Sequence, residues 1–172
     1  MVYSVALDSE KELFVVLLKN VKNIPEVRKM VIGGSIQCCI LKPSLIVDPL
    51  QIAVAAKKAV LNEQQNKMAT KSLYTEILFN LSLSKNITQS LIKFGISDTD
   101  KNAVVCVIGK NEEELEKVLS HFQCDKPSGD QLFLPDNSLI KKEYKITGVE
   151  TEVSSLLGSV VSRIAAKDFV SL

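Results

Sequence analysis

The chain has 172 residues, 46% of them hydrophobic, which is enough to bury one sizeable core and predicts a single domain over residues 1–172. Its 21 lysines and arginines nearly balance 20 aspartates and glutamates, which excludes a protein that attracts polyanions through its overall charge. No segment reaches the roughly 18 consecutive apolar residues of a membrane span, and the charged start MVYSVALDSEKELF is unlike a signal peptide. We therefore expect a cytoplasmic and nuclear protein that has no membrane partner.

The first half of the chain predicts a β-hairpin followed by helices. Apolar runs at residues 2–7 and 13–18 are separated by a polar turn, which is typical of two antiparallel strands. Asn23 and Pro25 predict the start of a short helix that ends at a pair of glycines. Residues 35–47 have no clear period and are predicted to be irregular. Asp48 and Pro49 predict the start of a long buried helix, and two shorter helices follow at 70–81 and 86–94.

The second half predicts a buried strand at 103–108, an acidic helix at 111–122 and a loop at 124–138. A last strand at 143–146 and a last helix at 149–166 complete the chain. The predicted fold class is α+β, with helices packed around a small, mainly antiparallel β-sheet.

No catalytic or metal-binding motif is evident in the sequence. His121 is the single histidine, and no cysteine or carboxylate lies at a metal-ligand spacing from it. The segment VVCVIGKNEEE lacks the glycine spacing of a phosphate loop, and DTDKN lacks the glycine and glutamate that complete a calcium loop. The four cysteines form no C-x-x-C pair, so reduced structural thiols are expected. We predict no catalytic residues, no metal ion and no cofactor.

Several sequence blocks between residues 42 and 96, and one near the end of the chain, agree in order and spacing with a known family. These blocks are KPSLIVDPLQIAVAAKKAV, TEILFNLS, NITQSLIKFGI and LLGSVVSRIAAKD. They resemble the PRPK-binding protein family, the small non-catalytic subunit of the KEOPS complex that makes threonylcarbamoyladenosine in tRNA. Lys42 stands where the family has asparagine, and Ser90 stands where a small apolar residue is common. Both departures are mild, and residues 111–140 show the poorest resemblance.

The resemblance implies a subunit that docks on the small lobe of the atypical kinase PRPK and helps to activate its ATPase. The apolar stripe of the last predicted helix is the candidate docking surface, because an exposed apolar helix face normally needs a partner. Its residues are Val153, Leu156, Leu157, Val160, Val161 and Ile164. The same helical spacing is also typical of a stripe that packs into the core, so both interpretations stay open.

The resemblance also implies that the subunit holds the single-stranded 3′ CCA end of tRNA. Unpaired nucleotides are recognised by stacking, base-edge hydrogen bonds and a few phosphate contacts, which a compact polar and apolar patch supplies. The predicted RNA contacts surround the polar segment between the helices at 70–81 and 86–94. They are Lys71, Tyr74, Asn80, Ser82, Lys85, Asn86 and Ile87.

A purely structural interpretation of these polar residues is also open. Asn80 and Ser82 can cap the end of one helix, and Asn86 can cap the start of the next. The lysines can be solvated charges. A different class of protein, an α/β regulatory or adaptor module without RNA contact, predicts a deep ligand pocket with convergent polar groups instead of a shallow surface.

Overall fold

The computed structural model describes residues 1–125 and 133–170. The strands are β1 (Val2–Ala6), β2 (Glu12–Leu18), β3 (Cys39–Leu41) and β4 (Ala103–Gly109). The helices are α1 (Ile24–Ile32), α2 (Pro49–Gln64), α3 (Leu73–Leu81), α4 (Ile87–Phe94), α5 (Glu112–Leu119), α6 (Asn137–Glu143), α7 (Gly148–Val153) and α8 (Leu156–Ala166). A short 3₁₀ helix spans Pro43–Leu45. The predicted α+β class is confirmed.

The four strands form one sheet in the order β1-β2-β4-β3, and every neighbouring pair is antiparallel. The β1–β2 hairpin and the strand predicted at 103–108 are confirmed. The central strands β2 and β4 are almost entirely buried, because helices cover both faces of the sheet. This burial explains why both strands are continuous apolar runs in the sequence rather than alternating ones.

Alternate residues of the central strands point into two separate apolar clusters. One cluster includes Leu13 and Val15 of β2 and packs against α2, α3, α6 and α8. The other includes Phe14 and Val16 and packs against α1 and α5. The strand period of two therefore distributes neighbouring side chains between two cores.

Helix α2 lies at the centre of the first cluster. Its start is fixed as predicted, because the Asp48 carboxylate accepts a hydrogen bond from the Leu50 amide at 2.9 Å and Pro49 occupies the first turn. Ala55, Ala56 and Ala59 are fully buried. Their small side chains allow α3 and α8 to pack closely against α2.

The prediction that residues 35–47 are irregular is wrong in two places. Cys39–Leu41 forms β3, and Pro43–Leu45 forms the 3₁₀ helix. A strand of three residues is too short to show a period of two, and it owes its conformation to pairing with β4, more than sixty residues away along the chain.

The predicted strand at 143–146 is wrong. Its first residue ends α6, which Asp136 caps by accepting a hydrogen bond from the Leu139 amide at 3.0 Å. Ile140 and Tyr144 are both fully buried at helical spacing. Lys145 then has a φ of 53°, which turns the backbone sharply. The predicted loop at 124–138 lies partly outside the described residues, and its last two residues belong to α6.

The helix predicted at 149–166 is interrupted and forms α7 and α8. Ser154 has an extended backbone, and the hydroxyl of Ser155 accepts a hydrogen bond from the Gly158 amide at 3.0 Å. Serine favours such a cap over a position inside a helix, so two adjacent serines interrupt an otherwise helical apolar pattern.

Candidate functional site

The α3–α4 joint, which we define as residues 82–86, is a chain of small polar turns. The hydroxyl of Ser82 accepts from the Ser84 amide, and the hydroxyl of Ser84 accepts from the Asn86 amide, each at 3.1 Å. The side-chain oxygen of Asn86 then accepts from the Gln89 amide at 3.0 Å and caps α4. The dense polar sequence of the joint is therefore used first of all to satisfy its own backbone.

The end of α3 is also held from α6 by a buried tyrosine. The Tyr144 hydroxyl donates to the carbonyl oxygen of Leu81 at 2.6 Å and accepts from the Gln51 amide group at 2.9 Å. The ring meets Phe94 edge to face, with centroids 6.0 Å apart. A carbonyl that α3 leaves without an intrahelical partner is thus satisfied inside the core.

Lys167, the residue that directly follows α8, contacts the same end of α3. Its ammonium donates to the carbonyl oxygen of Phe79 and lies 3.4 Å from the centroid of the Phe79 ring. The residue is only 3% exposed, and burial, aided by the positive charge of Lys58, lowers the pKa of its ammonium to about 8. Lys58 itself donates to the Ile164 carbonyl and pairs with Asp168, each at a distance under 3 Å.

Sequence reasoning missed both Tyr144 and Lys167. Each contacts α3 across a large separation in sequence, 63 residues for Tyr144 and 88 for Lys167. Neither residue belongs to a local motif, because an isolated tyrosine or lysine near a helix end carries no signal of a distant acceptor. Their role is visible only after α6 and α8 have been placed against α3.

Three of the predicted RNA-contact residues form one exposed surface. Lys85, Asn86 and Ile87 are consecutive at the start of α4, and all three are exposed. Ile87 presents 37% of its surface. A cation, an amide and an apolar side chain are therefore available together, although the side-chain oxygen of Asn86 is already used by the helix cap.

Two other predicted RNA-contact residues lie in the core beside this surface. Asn80 is 1% exposed and donates to the carbonyl oxygen of Ala55 in α2 at 3.1 Å, while Ser82 is 2% exposed. In the isolated chain their polar atoms serve the packing of α3 on α2 and the turn of the joint.

The remaining two, Lys71 and Tyr74, lie at the opposite end of α3, roughly 10 Å or more along the helix from the joint. The Tyr74 hydroxyl contacts both the carbonyl oxygen and the amide of Ile108, at 3.3 and 3.2 Å. It thereby covers an edge of β4 that β3 is too short to reach, and burial raises the pKa of Tyr74 to about 12. The structure therefore does not bring all seven residues into one patch.

The loop that carries Lys71 is fixed by a buried carboxylate. Glu76 is fully buried and accepts hydrogen bonds from the amides of Ala69 and Thr70, from the Thr70 hydroxyl and from Asn62, at 2.8 to 3.2 Å. These donors satisfy a charge that would otherwise be costly to bury.

The predicted kinase-contact residues differ widely in exposure. Val160 and Ile164 are fully buried in the core, and Leu156 is partly buried against the same cluster. Leu157 and Val161 are also partly buried. Val153, by contrast, is 86% exposed. In the isolated chain, the stripe of α8 therefore packs mainly inward and α7 presents its apolar side chains to solvent.

Helix α7 contributes no buried residue and is tied to α8 by an ion pair. Two nitrogens of the Arg163 guanidinium meet the two carboxylate oxygens of Glu150 at 2.5 and 2.7 Å. Hydrogen bonds from Arg163 lower the pKa of Glu150 to about 2. Val149 and Val153, one helical turn apart, remain 74% and 86% exposed.

A separate open depression of about 290 Å³ lies between the β3–β4 edge and α5. Tyr74, Glu114, Lys117 and His121 contribute to its lining. Within residues 1–125 and 133–170, histidine, cysteine and carboxylate side chains form no group of three that could hold a metal ion. Over the same part of the chain, no helix is long and apolar enough to cross a bilayer.

Comparison with known proteins gives a consistent result. The family described as "Kinase binding protein CGI-121" matches residues 18–168. The EKC/KEOPS complex subunit TPRKB of Danio rerio is 43% identical over 156 residues, which cover 88% of this chain and 89% of that protein. The EKC/KEOPS complex subunit CGI121 of Yarrowia lipolytica is 28% identical over 81% of this chain and 82% of its own length. The cgi121 subunit of Schizosaccharomyces pombe is 24% identical over 90% and 94%. The chain therefore belongs to the CGI-121 family of kinase-binding proteins.

Proposed function

We propose that this chain is a non-catalytic subunit of the EKC/KEOPS complex, that it binds and regulates the atypical kinase PRPK, and that it helps to recruit tRNA through the 3′ CCA end. The observation that carries the proposal is the similarity to complex subunits, 43% identity in the case of the Danio rerio protein, over nearly the whole chain.

Exposed apolar side chains on α7 support the kinase contact. Val149 and Val153 lie on one side of a helix that contributes nothing to the core, so a partner can cover them without unfolding the chain. The kinase partner binds this surface together with the half-buried residues at the start of α8. Val160 and Ile164 act indirectly, by holding α8 against the core.

The regulatory role is tested by the ATPase rate of purified PRPK with and without this chain. We expect the chain to raise that rate and to show no ATPase activity alone. Val153→Glu is expected to weaken kinase binding at least tenfold, because it puts a charge into an apolar contact. The control is Lys117→Met, which changes an exposed side chain of α5 on the opposite face of the sheet, and this variant is expected to bind PRPK normally. If the wild type, Val153→Glu and Lys117→Met bind PRPK with equal affinity, α7 is rejected as the docking surface.

The exposed surface formed by Lys85, Asn86 and Ile87 supports the RNA contact. It offers a cation, hydrogen-bonding groups and an apolar side chain within three residues, which suits a few unpaired nucleotides better than a long duplex. The net charge of +1 gives no broad basic surface, so affinity depends on the terminal nucleotides more than on phosphate number.

The decisive experiment compares binding of the purified chain, alone and with PRPK, to intact tRNA and to tRNA trimmed of its CCA end. We expect trimming to weaken binding at least tenfold. Equal affinity for both RNAs would reject the proposal.

Two substitutions then separate RNA contact from helix capping. Lys85→Glu reverses an exposed charge and is expected to weaken binding of intact tRNA with little change in stability. Asn86→Ser keeps a capping oxygen for the Gln89 amide, whereas Asn86→Ala removes it and is expected to cost about 1 kcal/mol of stability. If Asn86→Ser binds tRNA as well as the wild type does, the Asn86 side chain only caps α4.

A further inference from the structure

Lys167 lies outside every set of residues predicted from the sequence, yet it contacts the helix end from which the α3–α4 joint begins. Its ammonium is enclosed by the carbonyl oxygen and the ring of Phe79, three residues before Ser82. The contact joins the residue that follows α8 to the last turn of α3.

The charges around Lys167 favour the contact between its ammonium and the Phe79 carbonyl. A carbonyl near the carboxyl end of a helix carries partial negative charge, and an ammonium there is favourable. The charged groups around Lys167 are Lys58, Asp168, Glu76 and Lys85. Asp168 is paired with Lys58, and Glu76 is occupied by four donors, so neither replaces the Phe79 carbonyl as the main acceptor.

The position of α8 relative to α3 is fixed from both sides. Lys58 of α2 donates to the Ile164 carbonyl of α8 at 2.8 Å, while Val160 and Ile164 are buried against the same core as Leu81. Displacing the Lys167 ammonium would leave a buried charge without its acceptor and the half-buried Phe79 carbonyl without its donor, which is a costly change.

We infer that Lys167 is a positioning residue for the α3–α4 joint: by holding the end of α3, it sets the backbone conformation that presents Lys85, Asn86 and Ile87. This inference rests on the proposed function for its relevance to RNA. Lys167 itself, 3% exposed, does not contact the nucleotides.

Hydrogen exchange of the purified chain tests the inference without RNA. The amides of Ser84 and Asn86 are hydrogen-bonded within the joint and report its opening. Lys167→Met is expected to accelerate their exchange by roughly 10- to 100-fold, as loss of a charge-assisted, partly buried hydrogen bond implies. Amides of β4 are expected to change less. Lys167→Arg, which can still donate to the carbonyl and stack on the ring, is expected to restore slow exchange.

Unchanged exchange at the joint in Lys167→Met, or equal acceleration in β4, would overturn the inference, because Lys167 would then be neutral or only globally stabilising. Should this variant not fold, Phe79→Leu removes the ring beneath the ammonium but keeps the backbone acceptor. It is expected to accelerate joint exchange roughly two- to tenfold, and no acceleration would equally overturn the inference.

Affinity for intact tRNA is the second measurement. Lys167→Met is expected to weaken it severalfold, and Lys167→Arg to restore it. If wild-type protein discriminates CCA-trimmed tRNA but Lys167→Met binds intact tRNA normally, the inference fails while the proposed function stands. If the wild type does not discriminate, the proposed function fails, and the exchange data alone decide whether Lys167 positions the joint.

Discussion

Replacing Tyr144 by phenylalanine removes one oxygen atom from the core and tests how the end of α3 is held. The ring and its edge contact with Phe94 remain, so the change creates almost no cavity. The lost hydroxyl donates to the Leu81 carbonyl at 2.6 Å and accepts from Gln51 at 2.9 Å. Gln51 keeps its two other hydrogen bonds, which join it to the Leu45 carbonyl and the Val47 amide, but the described contacts give the Leu81 carbonyl no other side-chain donor.

The expected cost is that of one buried carbonyl left unpaired, about 1 to 3 kcal/mol. For a chain of this size, a loss near the middle of that range lowers the melting temperature by roughly 4 to 8 °C. Urea denaturation measures the free energy directly: the midpoint is expected to fall while the m value stays constant. Tyr3→Phe, at a half-buried position on β1, is the control and is expected to change stability by less than about 0.5 kcal/mol. A loss below that level in Tyr144→Phe would refute the buried hydrogen bond.

Three further predictions concern α7, α8 and the buried carboxylate. Val160→Glu, at a fully buried position, is expected to cost at least about 4 kcal/mol of stability, whereas Val153→Glu, at an exposed position, is expected to leave stability nearly unchanged. Parallel urea titrations measure both variants, and equal losses of stability would contradict the burial of Val160 in the core. Because the folded-state pKa of Glu150 is about 2, below its ordinary 4.5, the stabilisation by its ion pair is complete above pH 4.5 and lost as the pH falls toward 2. Arg163→Met is therefore expected to flatten the stability profile in that window, and a parallel profile would exclude the pair as its cause. Glu76→Gln turns one acceptor into a donor facing amide donors and is expected to cost about 1 to 3 kcal/mol by urea denaturation, with no loss if the network is absent.

The elements that could be predicted are those whose signals are local. Asp48 and Pro49 predict the start of α2, Asn86 predicts the cap of α4, and the two apolar runs at the start of the chain predict the hairpin. Each helix start is set by a hydrogen bond between residues a few positions apart, and the hairpin is set by two continuous apolar runs. Both signals can therefore be recognised in the sequence alone.

The elements that could not be predicted depend on distant partners or on misleading patterns. Strand β3 exists because β4 is available to pair with it. Tyr144 and Ile146 are both buried two positions apart, which resembles the pattern of a strand, but Tyr144 follows helix α6 and Ile146 follows the left-handed residue Lys145. At the candidate site, the sequence does not distinguish an asparagine at a helix end that faces RNA from one that faces the core. Only the packing of α3 on α2 shows that Asn80 faces the Ala55 carbonyl.

The pairing of β2 with β4 also determines when the sheet can form during folding. Glu12 lies opposite Gly109, so the central pair closes a loop that contains strand β3, the short 3₁₀ helix and the four helices α1 to α4. Long loops cost entropy before their contacts form, which slows folding relative to chains with local pairings. During synthesis, the apolar strand β2 waits without its second neighbour until β4 has been made. The nascent chain therefore carries an unpaired apolar strand edge while residues 19–102 are added, and such an edge is a site at which chains aggregate.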